Sequence, residues 1–243
     1  MDKGLERKYS RKHIGTVRTT TEGYSATCID GGSKVGCILI KIEDYKIEVG
    51  SGAFAKGNIK YPYHPSVYSK GFFGVGPYSK KTHEKLYKTW SSMLLRAYDC
   101  KFHMRHPTYK DVTVCKEWHN LQVFGKWFED NYIEGFELDK DLLSPESKIY
   151  SPDTCVFIPH RLNSFLTNNK ADNTSGHAGV YWHKRDEVWV AAISAGCGRL
   201  HLGYFSKLEE AVEAYKEARS KQAALLKKLY KDSLSKEVLD AIR

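Results

Sequence analysis

Apolar side chains recur along the middle of the chain with the spacing of α-helices. A first set follows the spacing i, i+4, i+7, i+8 and i+11 and comprises Leu86, Trp90, Met93, Leu94 and Ala97. A second set, at spacings of three and four, comprises Trp118, Leu121, Phe124 and Phe128. Each set lies on one face of a helix, so the pattern predicts two amphipathic helices that bury these faces.

The N-terminal third has the pattern of strands and loops. Residues 35–49 (VGCILIKIEDYKIEV) form two β-branched runs separated by Glu43 and Asp44, which predicts a hairpin. Residues 50–80 are rich in Gly and Tyr, contain three prolines and have no helical period, so they are predicted to be a loop. Residues 1–20 carry six basic side chains and little apolar material, and are predicted to be a basic arm or a loosely held first strand.

Residues 136–167 change from strand to helix within a short span. Residues 136–143 (FELDKDLL) are predicted to form a strand, residues 144–153 a turn and residues 155–158 (CVFI) a second strand. Pro159 is suited to open the helix that follows, because the first turn of a helix does not need its missing N–H. The segment is predicted to be strand, turn, strand and helix.

Residues 178–243 contain the clearest alternation of apolar and polar positions. A polar linker is predicted at 167–177. Three strands are predicted after it, and the middle one is half-buried, because one face carries Trp189, Ala191 and Ile193 and the other carries Val188, Val190, Ala192 and Ser194. A capping box of Ser206 and Glu209 is predicted to start a helix. The expected fold class is α+β, with domains at 1–80 (basic arm and β-rich), 81–166 (helical with a strand–turn–strand–helix centre) and 178–243 (sheet on helix with a helical extension).

Composition and charge favour some classes of protein and argue against others. The net charge is +9, and a basic balance favours a polyanionic partner. The six cysteines form no CxxC pair, which argues against a zinc ribbon. No apolar run reaches the roughly 20 residues of a membrane span, and the first residues, MDKGLERKYSRKH, are charged where a signal peptide is apolar. We therefore expect a cytoplasmic protein that does not bind membranes.

The C-terminal module resembles the AP2 domain, a DNA-binding fold of three strands packed on a helix. The matching features are GV at 179–180, W-x-A-x-I at 189–193, R-x-x-L-G-x-F at 199–205 and EEAVEAY at 209–215. The resemblance implies that the sheet enters the major groove of double-stranded DNA. The implied DNA-facing residues are Tyr181, His183, Arg185, Arg199 and His201, with Lys184 as a phosphate contact. The second strand departs from the family because its outer face is apolar, which predicts weak, A·T-tolerant specificity.

The acidic centre resembles the HNH (ββα-metal) nucleases. LDKD at 138–141 and YSPDTCVFIPHRLN at 150–163 match the strand–turn–strand–helix of that family, and together with the preceding helices they resemble phage-encoded homing-type HNH proteins with an AP2 tail. The resemblance implies a Mg²⁺ or Mn²⁺ ion held by Asp139, Asp141 and Asn163. Lys140 stands where the family has its catalytic histidine, so the implied proton acceptor is Lys140 or, on the helix, His160. Asp139 and Asp141 are i and i+2 and are expected to share one face of a strand.

Three functions remain open at this point. The first is a divalent-metal DNA endonuclease that uses the AP2-like module to choose its site. The second is a catalytically inactive DNA-binding phage regulator. The third is an inhibitor that binds a host enzyme through the acidic centre. None of the three requires a small-molecule cofactor.

Overall fold

The computed structural model describes residues 13–166, 175–194 and 198–242. Helices and several small sheets occur together, as the predicted α+β class requires. The chain forms two compact units. The N-terminal unit contains the described residues up to Tyr87 together with His119–Gln122, and the C-terminal unit contains Lys88–Trp118 and the described residues from Val123 onward.

The N-terminal unit is built on a four-stranded antiparallel sheet. Its strands, in spatial and sequence order, are β1 (Val17–Thr19), β2 (Ser25–Gly31), β3 (Cys37–Ile42) and β4 (Tyr45–Gly50). The predicted hairpin is confirmed by β3 and β4, and Glu43 has a positive φ of 49° in its turn. The core of the unit comprises Ala26, Cys28, Ile38, Ile40, Ile42, Phe54 and Ile59. Residues 56–80 form the predicted loop, but residues 50–55 include a short helix, α1 (Ser51–Ala55).

The predicted amphipathic helices are present with one changed boundary. All five apolar positions of the first are buried in α2 (Glu84–Tyr98), and α3 (Cys100–Arg105) follows it. The second helix, α4 (Leu121–Asn131), begins after Trp118. Trp118 lies instead in a 3₁₀ turn, where its carbonyl accepts the indole N–H of Trp90 at 2.7 Å.

The predicted strand–turn–strand–helix is confirmed and forms the centre of the C-terminal unit. Strands β6 (Phe136–Asp139) and β8 (Val156–Pro159) pair antiparallel, and α5 (His160–Leu166) follows directly. A second, parallel pair joins β5 (Thr113–Val114) to β7 (Ile149–Tyr150). The first strand was expected to extend to residue 143, but it ends at Asp139, because the side chain of Asp139 closes a turn there. We call this strand–turn–strand–helix, residues 136–166, the ββα centre.

The C-terminal sheet has the three predicted strands. Strands β9 (Val180–His183), β10 (Val188–Ser194) and β11 (Arg199–Phe205) are antiparallel in the order β11-β10-β9. The connection between β10 and β11 falls largely on residues 195–197, which lie outside those described. Helices α6 (Leu208–Tyr230) and α7 (Lys236–Ala241) follow. The predicted capping box is wrong, because α6 begins one residue later, after Lys207, and no side chain caps it.

Helix α6 belongs to two cores within the C-terminal unit. Its first half places Ala211 and Tyr215 against the sheet. Its second half places Ala223 and Leu226 in a core with the ββα centre and α7, which comprises Leu142, Ile158, Leu162, Phe165, Val238 and Ile242. The C-terminal sheet and the ββα centre therefore both pack against α6. Of the predicted linker between them, 167–177, residues 167–174 lie outside those described.

The close packing of the sheet on α6 depends on one glycine. Gly179 has φ +71°, and a Cβ there would lie 2.0 Å from the ring of Tyr215. The GV pair of the AP2-like pattern thus has a steric reason. Among the described residues, no helix has both the length and the apolar character needed to cross a membrane.

Candidate nucleic-acid interface and ionisable centre

The strand register defines the outward face of the C-terminal sheet, the face away from α6. Val190 on β10 lies opposite Tyr181 on β9 and Tyr204 on β11, and Ala192 lies opposite His201. Directly opposite residues of antiparallel strands project from the same face. Val190 and Ala192 lie on this outward face and are buried, with 1% and 5% of their surface exposed.

A β-bulge brings one further aromatic residue to this face. Ala191 pairs with Gly203 and Ala192 with His201, so Leu202 is an extra residue in β11. Gly203 has φ 151°, which a glycine adopts most readily. The bulge reverses the alternation after His201, so Tyr204 faces outward with 64% of its surface exposed. Regular alternation from Arg199 and His201 would place Tyr204 on the inner face, and Gly203 inside a strand is the sequence signal of the bulge.

The outward face carries aromatic, imidazole and guanidinium groups in contact with one another. The guanidinium carbon of Arg199 lies 4.9 Å from the ring centroid of Tyr181. The rings of His201 and Tyr204 are 4.6 Å apart. Stacking uses the flat face of a guanidinium and leaves its N–H edge available to an acceptor. The predicted residues Tyr181, Arg199 and His201 therefore lie on one face with Tyr204, and all of them except the half-buried Tyr181 are exposed.

The remaining predicted contacts lie at the β9–β10 turn. Asp186 Oδ2 is 3.2 Å from His183 Nδ1, although the pair is poorly aligned for a hydrogen bond, and Asp186 Oδ1 is 3.4 Å from Arg185 Nε. The side chain of Arg185 is nevertheless 90% exposed. Lys184, between them in sequence, is exposed as well. The carboxylate of Asp186 thus offsets part of the positive charge at this end of the sheet.

The charged residues at the end of β6 form hydrogen bonds within the loop that follows the strand. Asp139 Oδ1 accepts the N–H groups of Asp141 at 2.9 Å and Leu142 at 2.8 Å. Burial raises the pKa of Asp139 above its ordinary value, although these hydrogen bonds oppose the rise. Because β6 ends at Asp139, the expectation that Asp139 and Asp141 share one strand face is wrong.

Lys140 points into the protein. Its side chain is 8% exposed, and its ammonium donates to the carboxylate of Asp141 and, at 3.4 Å, to the carbonyl of Ser147. An ammonium group that donates these hydrogen bonds has no lone pair with which to accept a proton. This geometry favours His160 over Lys140 as a proton acceptor.

A different group converges on the other end of the same strand. Glu137 Oε1 lies 2.9 Å from His160 Nδ1, and Glu137 Oε2 accepts the Asn163 amide at 2.8 Å. Partial burial favours the protonated acid, but the hydrogen bonds from Asn163 and His160 and the charge of Arg96 outweigh it, so the pKa of Glu137 lies below its ordinary value. His160 and Asn163 were predicted from the sequence. Glu137 was missed, because the contact joins residues 23 and 26 positions apart.

The Glu137–His160 pair has the geometry of a carboxylate that orients an imidazole. A hydrogen bond from Nδ1–H to the carboxylate leaves Nε2 as the acceptor. Nε2 lies 3.4 Å from the hydroxyl oxygen of Ser164, and 75% of the His160 side chain is exposed. An exposed, oriented imidazole of this kind can take a proton from a water molecule.

The three predicted metal ligands are hydrogen-bonded or ion-paired to other groups of the protein. Asp139 closes a turn, Asp141 pairs with Lys140, and Asn163 donates to Glu137. Within the described residues, no group of three or more His, Cys, Asp or Glu side chains is arranged to hold a metal ion. A hard cation at the ββα centre would have to share the carboxylate of Glu137 with His160 and Asn163, as Mg²⁺ often uses one or two carboxylates and keeps several waters.

Comparison with known proteins gives no relative. No protein family matches the sequence, and neither a curated protein nor a solved structure is significantly similar to the chain.

Proposed function

We propose that the chain binds double-stranded DNA through the outward face of its C-terminal sheet. The observation that carries the proposal is the placement of Tyr181, Arg199, His201 and Tyr204 on one face of the two outer strands, where the last three are exposed and Tyr181 is half-buried. Outer strands of a three-stranded sheet are about 10 Å apart. The major groove, about 12 Å wide, accepts such a surface.

The charge of the chain supports the same partner. The whole sequence has a net charge of +9, and Lys184 and Arg185 extend from the end of the sheet with exposed side chains. Phosphate contacts by such residues release counterions and provide affinity that does not depend on sequence. The basic residues of the arm at 1–12 lie outside the described residues and are expected to add to this affinity.

Salt titration tests the proposal. Affinity of the full chain for a random-sequence duplex should fall as salt rises, with a slope of about −0.9 for each phosphate contacted. Lys184→Ala should reduce the slope by about one contact, and deletion of residues 1–12 should reduce it further. Binding that does not depend on salt, or no binding at low salt, would exclude the proposal.

A second candidate function is hydrolysis of the DNA phosphodiester at the ββα centre. The observation in its favour is the imidazole of His160, which Glu137 holds at Nδ1 and whose side chain is 75% exposed. In such an enzyme His160 accepts the proton of the attacking water, and Glu137 holds the ring and stabilises the charge that the ring gains. Mg²⁺ or Mn²⁺, bound through Glu137 and Asn163, would supply stabilisation of the phosphate charge.

Plasmid cleavage distinguishes this candidate from binding alone. If the centre is active, His160→Ala should lower the rate about 10²–10⁴-fold with DNA binding unchanged. Lys140→Met, which removes the other predicted proton acceptor, should keep the cleavage chemistry if the protein folds. DNA binding without cleavage in either metal would favour the inactive regulator. Absence of DNA binding would favour the third function, an inhibitor that acts on a protein partner.

A further inference from the structure

We infer that the sheet recognises the C5-methyl group of pyrimidines in the major groove, which in ordinary DNA is the methyl of thymine, and that Tyr204 is the specificity-determining residue. The inference rests on the proposed DNA binding and names the feature of the duplex that is read.

Apart from Arg199, the outward face lacks the side chains that usually read other base edges. Guanine is usually read by a bidentate Arg or Lys, adenine by Asn or Gln, and cytosine by Asp or Glu. The outward residues of the described strands are Tyr181, His183, Val188, Val190, Ala192, Ser194, Arg199, His201 and Tyr204. Of the usual base-reading types only Arg199 is present, and its guanidinium lies over the ring of Tyr181.

The same face is suited to apolar contact. Tyr204 extends from it with 64% of its surface exposed, whereas the short apolar side chains of Val190 and Ala192 at its centre are buried, so the ring of Tyr204 is the apolar group that a partner can reach. The thymine methyl is the apolar group that the major groove offers, and apolar and aromatic side chains are its usual contacts.

The ring of Tyr204 is held in place before DNA arrives. The bulge at Gly203 fixes the direction in which Tyr204 leaves the strand, and His201 contacts the ring from a distance of 4.6 Å between centroids. A positioned ring loses little side-chain entropy when it binds. Burial of one methyl group against it should strengthen binding about three- to fivefold.

Two pairs of DNA polymers that differ in this methyl group alone test the inference on the full-length chain. The first pair is alternating poly(dA-dT) and poly(dA-dU). The second is alternating poly(dG-dC) and its 5-methylcytosine form, in which the methyl occupies the same place in the groove. We expect the methylated member of each pair to bind at least threefold more tightly at the same salt concentration.

Three variants locate the contact. Tyr204→Ser should reduce the methylated-to-unmethylated ratio to near one, and Tyr204→Phe should keep it, because the ring is retained. Lys184→Ala is the matched control: as a phosphate contact it should weaken binding to all four polymers equally and leave the ratio unchanged. Thermal melting of each variant checks that it is folded.

The outcomes separate this inference from the function on which it rests. Equal affinity within either polymer pair, with binding itself intact, would overturn methyl recognition. A methyl preference that persists in folded Tyr204→Ser would overturn the role of Tyr204. Failure to bind any of the four polymers would contradict DNA binding itself, and methyl recognition with it.

Discussion

The C-terminal sheet and the ββα centre use their charged residues in opposite ways. On the sheet, Arg199 and His201 project from alternate positions of a strand and lie exposed beside aromatic rings. At the end of β6, Asp139 and Lys140 turn inward and hydrogen-bond their own loop. The two regions share α6, so the difference arises from their local backbone rather than from separate domains.

The difference shows which charge patterns carry functional information. A strand gives each second residue the same direction, so a polar residue on the outward face remains available to a partner. A tight turn leaves several backbone N–H groups without partners, and a nearby carboxylate accepts them. Clustered charges in a loop such as 139–141 therefore stabilise the loop first, and a functional role needs contacts with other elements, such as those of Glu137.

The largest expected effect comes from the helix that joins the two regions. Leu226 is fully buried in the core shared by α6 and the ββα centre. Leu226→Ala should lower the free energy of unfolding by about 2–5 kcal/mol, because it removes buried methyl groups and leaves a cavity. Chemical denaturation measures this loss. The adjacent Leu225, which is 53% exposed, provides the control, and Leu225→Ala should change stability by less than about 0.5 kcal/mol. Equal effects of the two variants would show that the shared core is not formed.

The next effect separates the two regions directly. Asp139→Ala should lower the free energy of unfolding by about 1–3 kcal/mol, because two N–H groups of the turn lose their acceptor. Arg199→Ala should leave stability within about 0.5 kcal/mol, since the side chain is exposed. Thermal or denaturant unfolding of both variants measures the two changes in the free energy of unfolding. A larger loss for Arg199→Ala than for Asp139→Ala would reverse the comparison.

The smallest effect is the pH dependence of Glu137. Its folded-state pKa lies below the ordinary value of 4.5, so its carboxylate stabilises the fold above that pH and the contribution is lost as pH falls through the lower folded-state pKa. The stability difference between wild type and Glu137→Gln should therefore be present at pH 7 and shrink below about pH 4.5. Glu213→Gln controls for loss of an exposed carboxylate elsewhere on the chain. A difference that stays constant down to pH 3 would show that the contacts of Glu137 with His160 and Asn163 do not stabilise the fold.

Periodicity predicted most of the fold and less of the candidate sites. The stripe from Leu86 to Ala97, the hairpin around Glu43 and the strand–turn–strand–helix follow from local spacing, and the structure has them. The capping box failed because Ser206 lies one residue too early for the start of α6.

The errors at the sites have two physical causes. The bulge at Gly203 shifts the faces of β11, so Tyr204 lies on the outward face although it was not among the predicted DNA-facing residues. The contact of Glu137 with His160 and Asn163 depends on the register of β6 against β8, which no local pattern contains. The pairing of β6 with β8 and the bulge at Gly203 are thus the two features that the sequence analysis did not predict.

Duplex binding by a double variant tests the central claim most directly. Arg185→Ala, Arg199→Ala removes two positive charges from the sheet, and Lys228→Ala, Lys231→Ala removes two from exposed positions at the end of α6 and beyond it. Titration of a fluorescent duplex with each full-length protein at one salt concentration gives the two Kd values. If the sheet binds DNA, the first variant should weaken binding at least about tenfold, a loss of about 1.4 kcal/mol, and clearly more than the second. Equal binding by wild type and Arg185→Ala, Arg199→Ala would contradict DNA recognition by the sheet.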